Sequence, residues 1–235
     1  MNYVVLNGRN SNLIEGLLIQ SLPPVSKPLM RTQVEEIDGR DGDIITPLGY
    51  MAYDKTVRIG LHGEYSVDEV IKFFSTEGTV IFSNEPDKYY HFQMLAQIDF
   101  ERLIRFRQAD VVFHVQPYKY SVTEDALIFS SFTNNSISVF NSGNTVSKPK
   151  ITITGSGTIN LSINGYLYFV IDLSNDTHIT LDSELMEAYK DSLSTLMNRK
   201  VIGDYNNLTL GIGSNTISWT GTVTEVVVET YSRWI

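Results

Sequence analysis

Short runs of alternating apolar and polar residues dominate this chain, and they commit it to β-structure. Asp54 to His62 puts Val57, Ile59 and Leu61 on one face and Arg58 and His62 on the other. Tyr90 to Ile98 alternates in the same way, with Tyr90, Phe92, Met94, Ala96 and Ile98 inward and His91, Gln93 and Gln97 outward. Asp110 to Gln116 repeats the pattern through Val111, Phe113 and Val115, and Pro117 is expected to stop it. Thr79 to Ser83 and Tyr3 to Leu6 are shorter strands, the latter running into the hairpin signal Asn7-Gly8. Leu13 to Ile19 is a further apolar run, broken by Ser21-Leu-Pro-Pro24.

A helical signal interrupts the strands over residues 66–77. Ser66 and Glu69 form a capping box. Val67, Val70, Ile71 and Phe74 make one apolar stripe, and Gly78 stands where a left-handed C-cap is wanted. Strands with a single helix suggest a sheet or open, split barrel with the helix laid across it.

Composition shifts after Tyr120, where Asn, Ser, Thr and Gly become abundant and arginine falls to Arg199 and Arg233. Phe132 to Ser136 is polar and turn-prone, a natural break between domains at 1–132 and 133–235. Beyond it, short strands recur at sandwich spacing. They include Ile151 to Ile153, Ile159 to Ile163 followed by Asn164-Gly165, Tyr166 to Leu173, His178 to Leu181, Thr216 to Thr220 and Thr222 to Tyr231. Ser183 to Lys190 fits helical and strand spacing equally. The fold class is therefore mainly β, in two domains.

Val34 to Asp43, Val-Glu-Glu-Ile-Asp-Gly-Arg-Asp-Gly-Asp, reads as a strand entering a tight charged turn. Gly39 and Gly42 permit the reversal. Glu35, Glu36, Asp38, Asp41 and Asp43 cannot be buried together without partners. The turn therefore faces solvent or another chain, with Arg40 as its fixed positive point. The carboxylates miss the spacing of a calcium loop, whose closing position falls on Gly49. Glu36, Asp38, Arg40, Asp41 and Asp43 are candidate contacts between subunits.

The 235 residues are 42% hydrophobic with 11% aromatics, enough for two cores, and contain no cysteine, which excludes disulfides and thiol chemistry. The formal charge of −9 argues against wrapping nucleic acid, though it allows lining a passage through which a polyanion slides. No stretch has membrane length. The start lacks a basic region followed by an apolar run, so cytoplasmic synthesis and folding are expected. No Gly-x-Ser-x-Gly elbow or phosphate loop occurs. His62, His91 and His114 fall on polar strand faces, and His178 follows a turn. Asp172, Asp176, Asp182 and Glu184 are close in sequence but lie on expected strand ends and turns. An enzyme is not expected, and no catalytic, metal or cofactor residues are assigned.

An ordered set of segments does carry a resemblance. It comprises the charged turn, Ile81-Phe-Ser-Asn-Glu-Pro86-Asp-Lys-Tyr89 and Phe113-His-Val-Gln-Pro-Tyr-Lys-Tyr-Ser121. In the second half it continues with Asn141-Ser-Gly-Asn-Thr145, Pro149 to Gly157, Ile179 to Lys190, Gly203-Asp-Tyr205, Leu210 to Ile217 and Arg233-Trp234. Together these resemble the distal tail protein (Dit) family of long-tailed phages and prophages, especially those of Gram-positive hosts. One departure is Gly203-Asp-Tyr-Asn-Asn207, where family members often show Gly-Asp-Phe-Pro. The large insertions of some members are missing.

The resemblance implies a structural virion protein and a ring of six. N-terminal domains would form the centre, and galectin-like C-terminal β-sandwiches would project outward. One face would meet the major tail tube protein. The other would meet the tail-associated lysin or fibre protein and the baseplate, with receptor-binding proteins nearby and DNA passing through the hole. The location implied is the virion tail tip, after assembly in the host cytoplasm. The alternative is a carbohydrate-binding module that contacts host-wall glycans through the C-terminal domain, with Trp219 and Trp234 as stacking aromatics.

Overall fold

The computed structural model describes residues 1–74, 76–132 and 134–235. Ser75, inside the expected helix, and Thr133, inside the expected break, lie outside the described residues. The fold is mainly β. The chain divides into two compact units, Met1–Val122 with Ile235, and Thr123–Trp234. This division falls ahead of the break expected after Phe132.

The first unit contains β1 (Val4–Leu6), β2 (Arg9–Asn10), β3 (Leu17–Ser21), β4 (Met30–Glu36), β5 (Asp43–Tyr50) and β6 (Tyr53–Leu61). These are followed by α1 (Val67–Phe73), β7 (Glu77–Phe82), β8 (Lys88–Gln93), α2 (Phe100–Phe106) and β9 (Gln108–Ser121). The main sheet runs β2-β1-β7-β8-β9-β6-β3. Its inward residues Val57, Ile59, Val111, Phe113 and Val115 are buried, as the alternation demands. The Phe113 ring meets those of Phe82 and Phe92 edge-on at 5.8 and 5.1 Å. The Asn7-Gly8 turn forms as expected, with both residues at positive φ.

The structure differs from the sequence expectation in four places here. First, the helix stops at Phe73 rather than residue 77, although Ser66 caps it by accepting from the Glu69 amide. Phe73 and Phe74 both turn into the core, and Ile71 is left exposed. Second, Gly78 belongs to β7 and caps nothing. Its φ of 136° leaves room for the Asn7 side chain, which would lie 1.9 Å from an added Cβ. Asn7 Oδ1 accepts from the Thr79 amide, and its Nδ2 donates to the Glu77 carbonyl. Third, the strand from Tyr90 ends at Gln93, and a second helix follows where one helix was expected. Asp99 caps α2 through the Arg102 amide at 2.8 Å, and Arg107 closes it with φ 58°. Fourth, β9 continues through Pro117. The β8–β9 register shifts between Tyr90 and Phe92, so the proline occupies a bulge that needs no N–H.

The second unit contains β10 (Leu127–Phe129), β11 (Ser136–Asn141), β12 (Lys150–Ile163), β13 (Tyr166–Leu173), β14 (His178–Asp182), β15 (Glu187–Lys190), β16 (Ser192–Leu196), β17 (Val201–Gly203) and β18 (Gly213–Glu229). The ambiguous stretch before Lys190 is thus a strand, entered through Met186 at φ 57°. β18 is one strand where two were expected, and it pairs with β10, β11 and β12. Its register against β12 jumps between Ser156 and Asn160. Gly221 sits at the jump with φ 97°, and an added Cβ would lie 2.4 Å from the Thr158 carbonyl. The bend turns inward faces of both strands into one core holding Ile151, Ile153, Leu161, Phe169 and Val226.

Trp219 belongs to that core. It is 5% exposed, and its ring meets Phe132 edge-on at 4.7 Å. Truncation to alanine is expected to lower the stability of this unit by about 3–5 kcal/mol in urea unfolding. Phenylalanine is expected to cost much less, because it also removes an indole N–H that is buried without a partner among the described residues.

Candidate functional site

β4 and β5 form a two-stranded sheet separate from both main sheets. Val34 pairs with Ile45 and Glu36 with Asp43, and Thr32 faces Pro47. Leu48 is the extra residue where the register shifts beyond Arg31. Gly39 (φ 83°) and Gly42 (φ 78°) turn the tip, and the Arg40 amide donates to the Ile37 carbonyl at 3.1 Å. Every residue of β4 is exposed, and of β5 only Ile44 and Tyr50 are partly covered. An isolated ribbon is marginal in water. This one also exposes apolar side chains, Val34 at 54% and Ile45 at 62%.

The sequence placed the charged turn correctly at the surface, and the structure puts Glu36, Asp38, Arg40, Asp41 and Asp43 together at the end of this arm. None of these carboxylates has a cation within ion-pair distance among the described residues. The sequence reads as a strand into the turn and an extended segment, Ile44 to Met51, after it, both candidates for contact with another chain; the structure pairs the two as β4 and β5.

A strap of residues 22–29 aims the arm. Pro23, Pro24 and Pro28 offer no N–H, so these three of its eight residues present only a carbonyl to be paired. Asn84 Nδ2 reaches the Pro23 carbonyl at 2.9 Å, Lys55 Nζ that of Pro24 at 3.0 Å, and the Tyr53 hydroxyl that of Ser26 at 3.3 Å. The Met51 amide then donates to the Leu29 carbonyl at 2.8 Å and closes the base of the arm.

Lys55 is the unusual member. It shares the inward register of Val57, is 2% exposed, and lies 5.0–5.7 Å from the ring centroids of Tyr53, Phe82 and Tyr90. Burial holds its pKa below the ordinary lysine value, the Glu85 carboxylate pulls it back up, and Lys119 pushes it down. Glu85 itself accepts from the Tyr90 hydroxyl and from Lys119.

The histidines do not converge on one site. His114 contacts Asp54 at 2.7 Å. His178 lies between the Thr177 hydroxyl at 3.1 Å and Asp191 at 2.8 Å, on an exposed surface where water competes for every contact. No group of three or more His, Asp or Glu is arranged to hold a metal ion among the described residues. No helix among the described residues is long and apolar enough to cross a membrane. Trp219 offers no ring face to solvent, and Trp234 is half-buried.

No protein-family model matches the sequence, and no curated protein matches it significantly. Solved structures do match over nearly the whole chain. The SPP1 Dit (gp 19.1) protein, described as a paradigm of hub adsorption apparatus in Gram-positive infecting phages, aligns with a TM-score of 0.66 and 17% identity. That alignment covers 97% of this chain and 98% of that one. A chain of the phage P2 baseplate in its activated conformation with Ca aligns with a TM-score of 0.53 and 9% identity, covering 97% of each chain. The chain therefore has the fold of these phage baseplate proteins through both of its units.

The lowered pKa of Lys55 has a measurable consequence. Between that value and 10.5 the unfolded chain holds a proton that the folded chain has released, so stability rises with pH across this interval. Lys55→Met is expected to flatten the rise, read as a smaller difference between urea midpoints at pH 7 and pH 10.5 than in the wild type.

Proposed function

We propose that this chain is a structural subunit of a phage tail tip. Copies of it close a ring, probed below through the arm, and the ring joins the tail tube to the tail-associated fibre or lysin protein within a baseplate. Its work is to hold unlike neighbours in register, with no bond made or broken. The ring of six, the DNA passage, the contacts with the tube, the lysin or fibre protein and receptor-binding proteins, and assembly in the host cytoplasm all belong to this proposal. The formal charge of −9 suits a passage in which DNA must not stick.

The carrying observation is the arm. A ribbon that is exposed on both faces and displays Val34, Ile45 and Leu48 to water is a surface awaiting a partner. A ring supplies that partner from the next copy, because a head-to-tail contact repeats until it closes. The likeness in fold to the SPP1 Dit protein supports the same reading.

Val34→Asp combined with Ile45→Asp tests it. Both positions are exposed, so unfolding stability is expected to change by only about 0.5 kcal/mol. Light scattering of concentrated wild type is expected to show a closed oligomer, and the double variant a folded monomer. Concentration must be matched, because assembly follows mass action. A wild type that stays monomeric when concentrated, or a double variant that assembles fully, overturns the reading.

A further inference from the structure

We infer that the acidic tip of the arm seats on α2 of a second copy. This rests on the self-assembly just proposed and names its contact. Two sets of charges in the first unit make no ion pair among the described residues. One is the tip set, Glu35, Glu36, Asp38, Asp41 and Asp43, relieved only by Arg40. The other is Arg102 and Arg105 on α2, of which Arg102 also feels the Asp110 carboxylate that Arg58 already pairs; Arg107, just after α2, lies over the Tyr65 ring. The remaining cations of the main sheet and α1 are mostly engaged: Arg9 and Lys72 with Glu69, Arg58 with Asp110, Lys88 with Asp87, Lys119 with Glu85.

α2 is also incompletely covered. Leu103 is its one fully buried residue, with Phe100 partly packed beside it. Arg102, Arg105 and Phe106 stand at i, i+3 and i+4, so they share one exposed flank of the helix. Phe106 is 62% exposed, with the Arg105 guanidinium 5.7 Å from its ring centroid. This side therefore shows cations beside an aromatic ring.

The arm shows the complementary order. Val34 and Glu36 lie on one face of β4, and opposite them Ile45 and Asp43 lie on the same face of the ribbon. The step from apolar rung to acidic rung is about 7 Å along the strand. The step from Phe106 back to Arg102 is about 6 Å along the helix. Apolar can therefore meet apolar while carboxylates meet guanidiniums in one docking. The tip and α2 of one copy make no ion pair with each other, so a second copy supplies the match. Each copy has one arm and one α2, two different surfaces, so the contact can repeat head-to-tail around the proposed ring.

Charge reversal in the full-length chain tests this. Arg102→Glu with Arg105→Glu reverses the helix, and Glu36→Arg with Asp43→Arg reverses the tip. All four side chains are exposed, so circular dichroism is expected to show folded protein throughout. Sedimentation at low salt is expected to show each pair weakening self-association at least about tenfold. The quadruple variant is expected to recover to within about threefold of wild type, by the same charge complementarity. An equimolar mixture of the two non-assembling pairs is expected to assemble, since each then meets its complement in trans. Raising salt is expected to weaken the wild-type oligomer. Assembled wild type with either pair unaffected, or with no recovery in the quadruple variant and the mixture, overturns the docking and leaves self-assembly standing. A wild type monomeric at every concentration overturns both.

Discussion

Every strand has two hydrogen-bonding edges, and the way this chain fills them decides its architecture. In the second unit β18 is long enough to serve β10, β11 and β12 at once, and the bend at Gly221 lets it do so without breaking. In the first unit each internal strand of the main sheet has a neighbour on both sides. β4 and β5 belong to neither main sheet. They have only each other, and no core lies under either face. What is left unsatisfied at the arm is what an assembling protein needs, a surface that gains only when a partner arrives.

Much of the β-structure was legible because period-two alternation and Asn-Gly turns are local signals. Val57, Ile59, Val111 and Phe113 point inward as their spacing demands, and Asn7-Gly8 and Asn164-Gly165 turn where they should. Two of the misreadings share a cause: a distant side chain or strand overruled the local pattern. Gly78 resembles a helix cap in sequence, but the Asn7 side chain, far away in the chain, takes the space its missing Cβ leaves. Pro117 looks like a terminator until a bulge against β8 removes the need for its N–H. α2 escaped notice because one buried leucine makes no stripe, and the alternation from Tyr90 ran on past Gln93 into it.

The candidate site was half legible. Its charged tip follows from the inability of so many carboxylates to be buried together. The pairing of its two flanking segments into a free ribbon, and the strap that aims it, could not be read, because both depend on what lies across the fold. Lys55 shows why. Its register marks it as inward, and chemistry would normally forbid that position to an ammonium. Three aromatic rings and the Pro24 carbonyl make it tolerable, and none of them is near it in sequence except Tyr53.

The strap is gripped by its main chain. Asn84, Lys55 and Tyr53 all hold carbonyl oxygens, which every residue type presents alike. Exposed positions such as Val25 and Lys27 can therefore drift over generations without redirecting what the strap carries. A lineage could refashion this connection to suit new neighbours while the grip from β6 and the loop after β7 stays put.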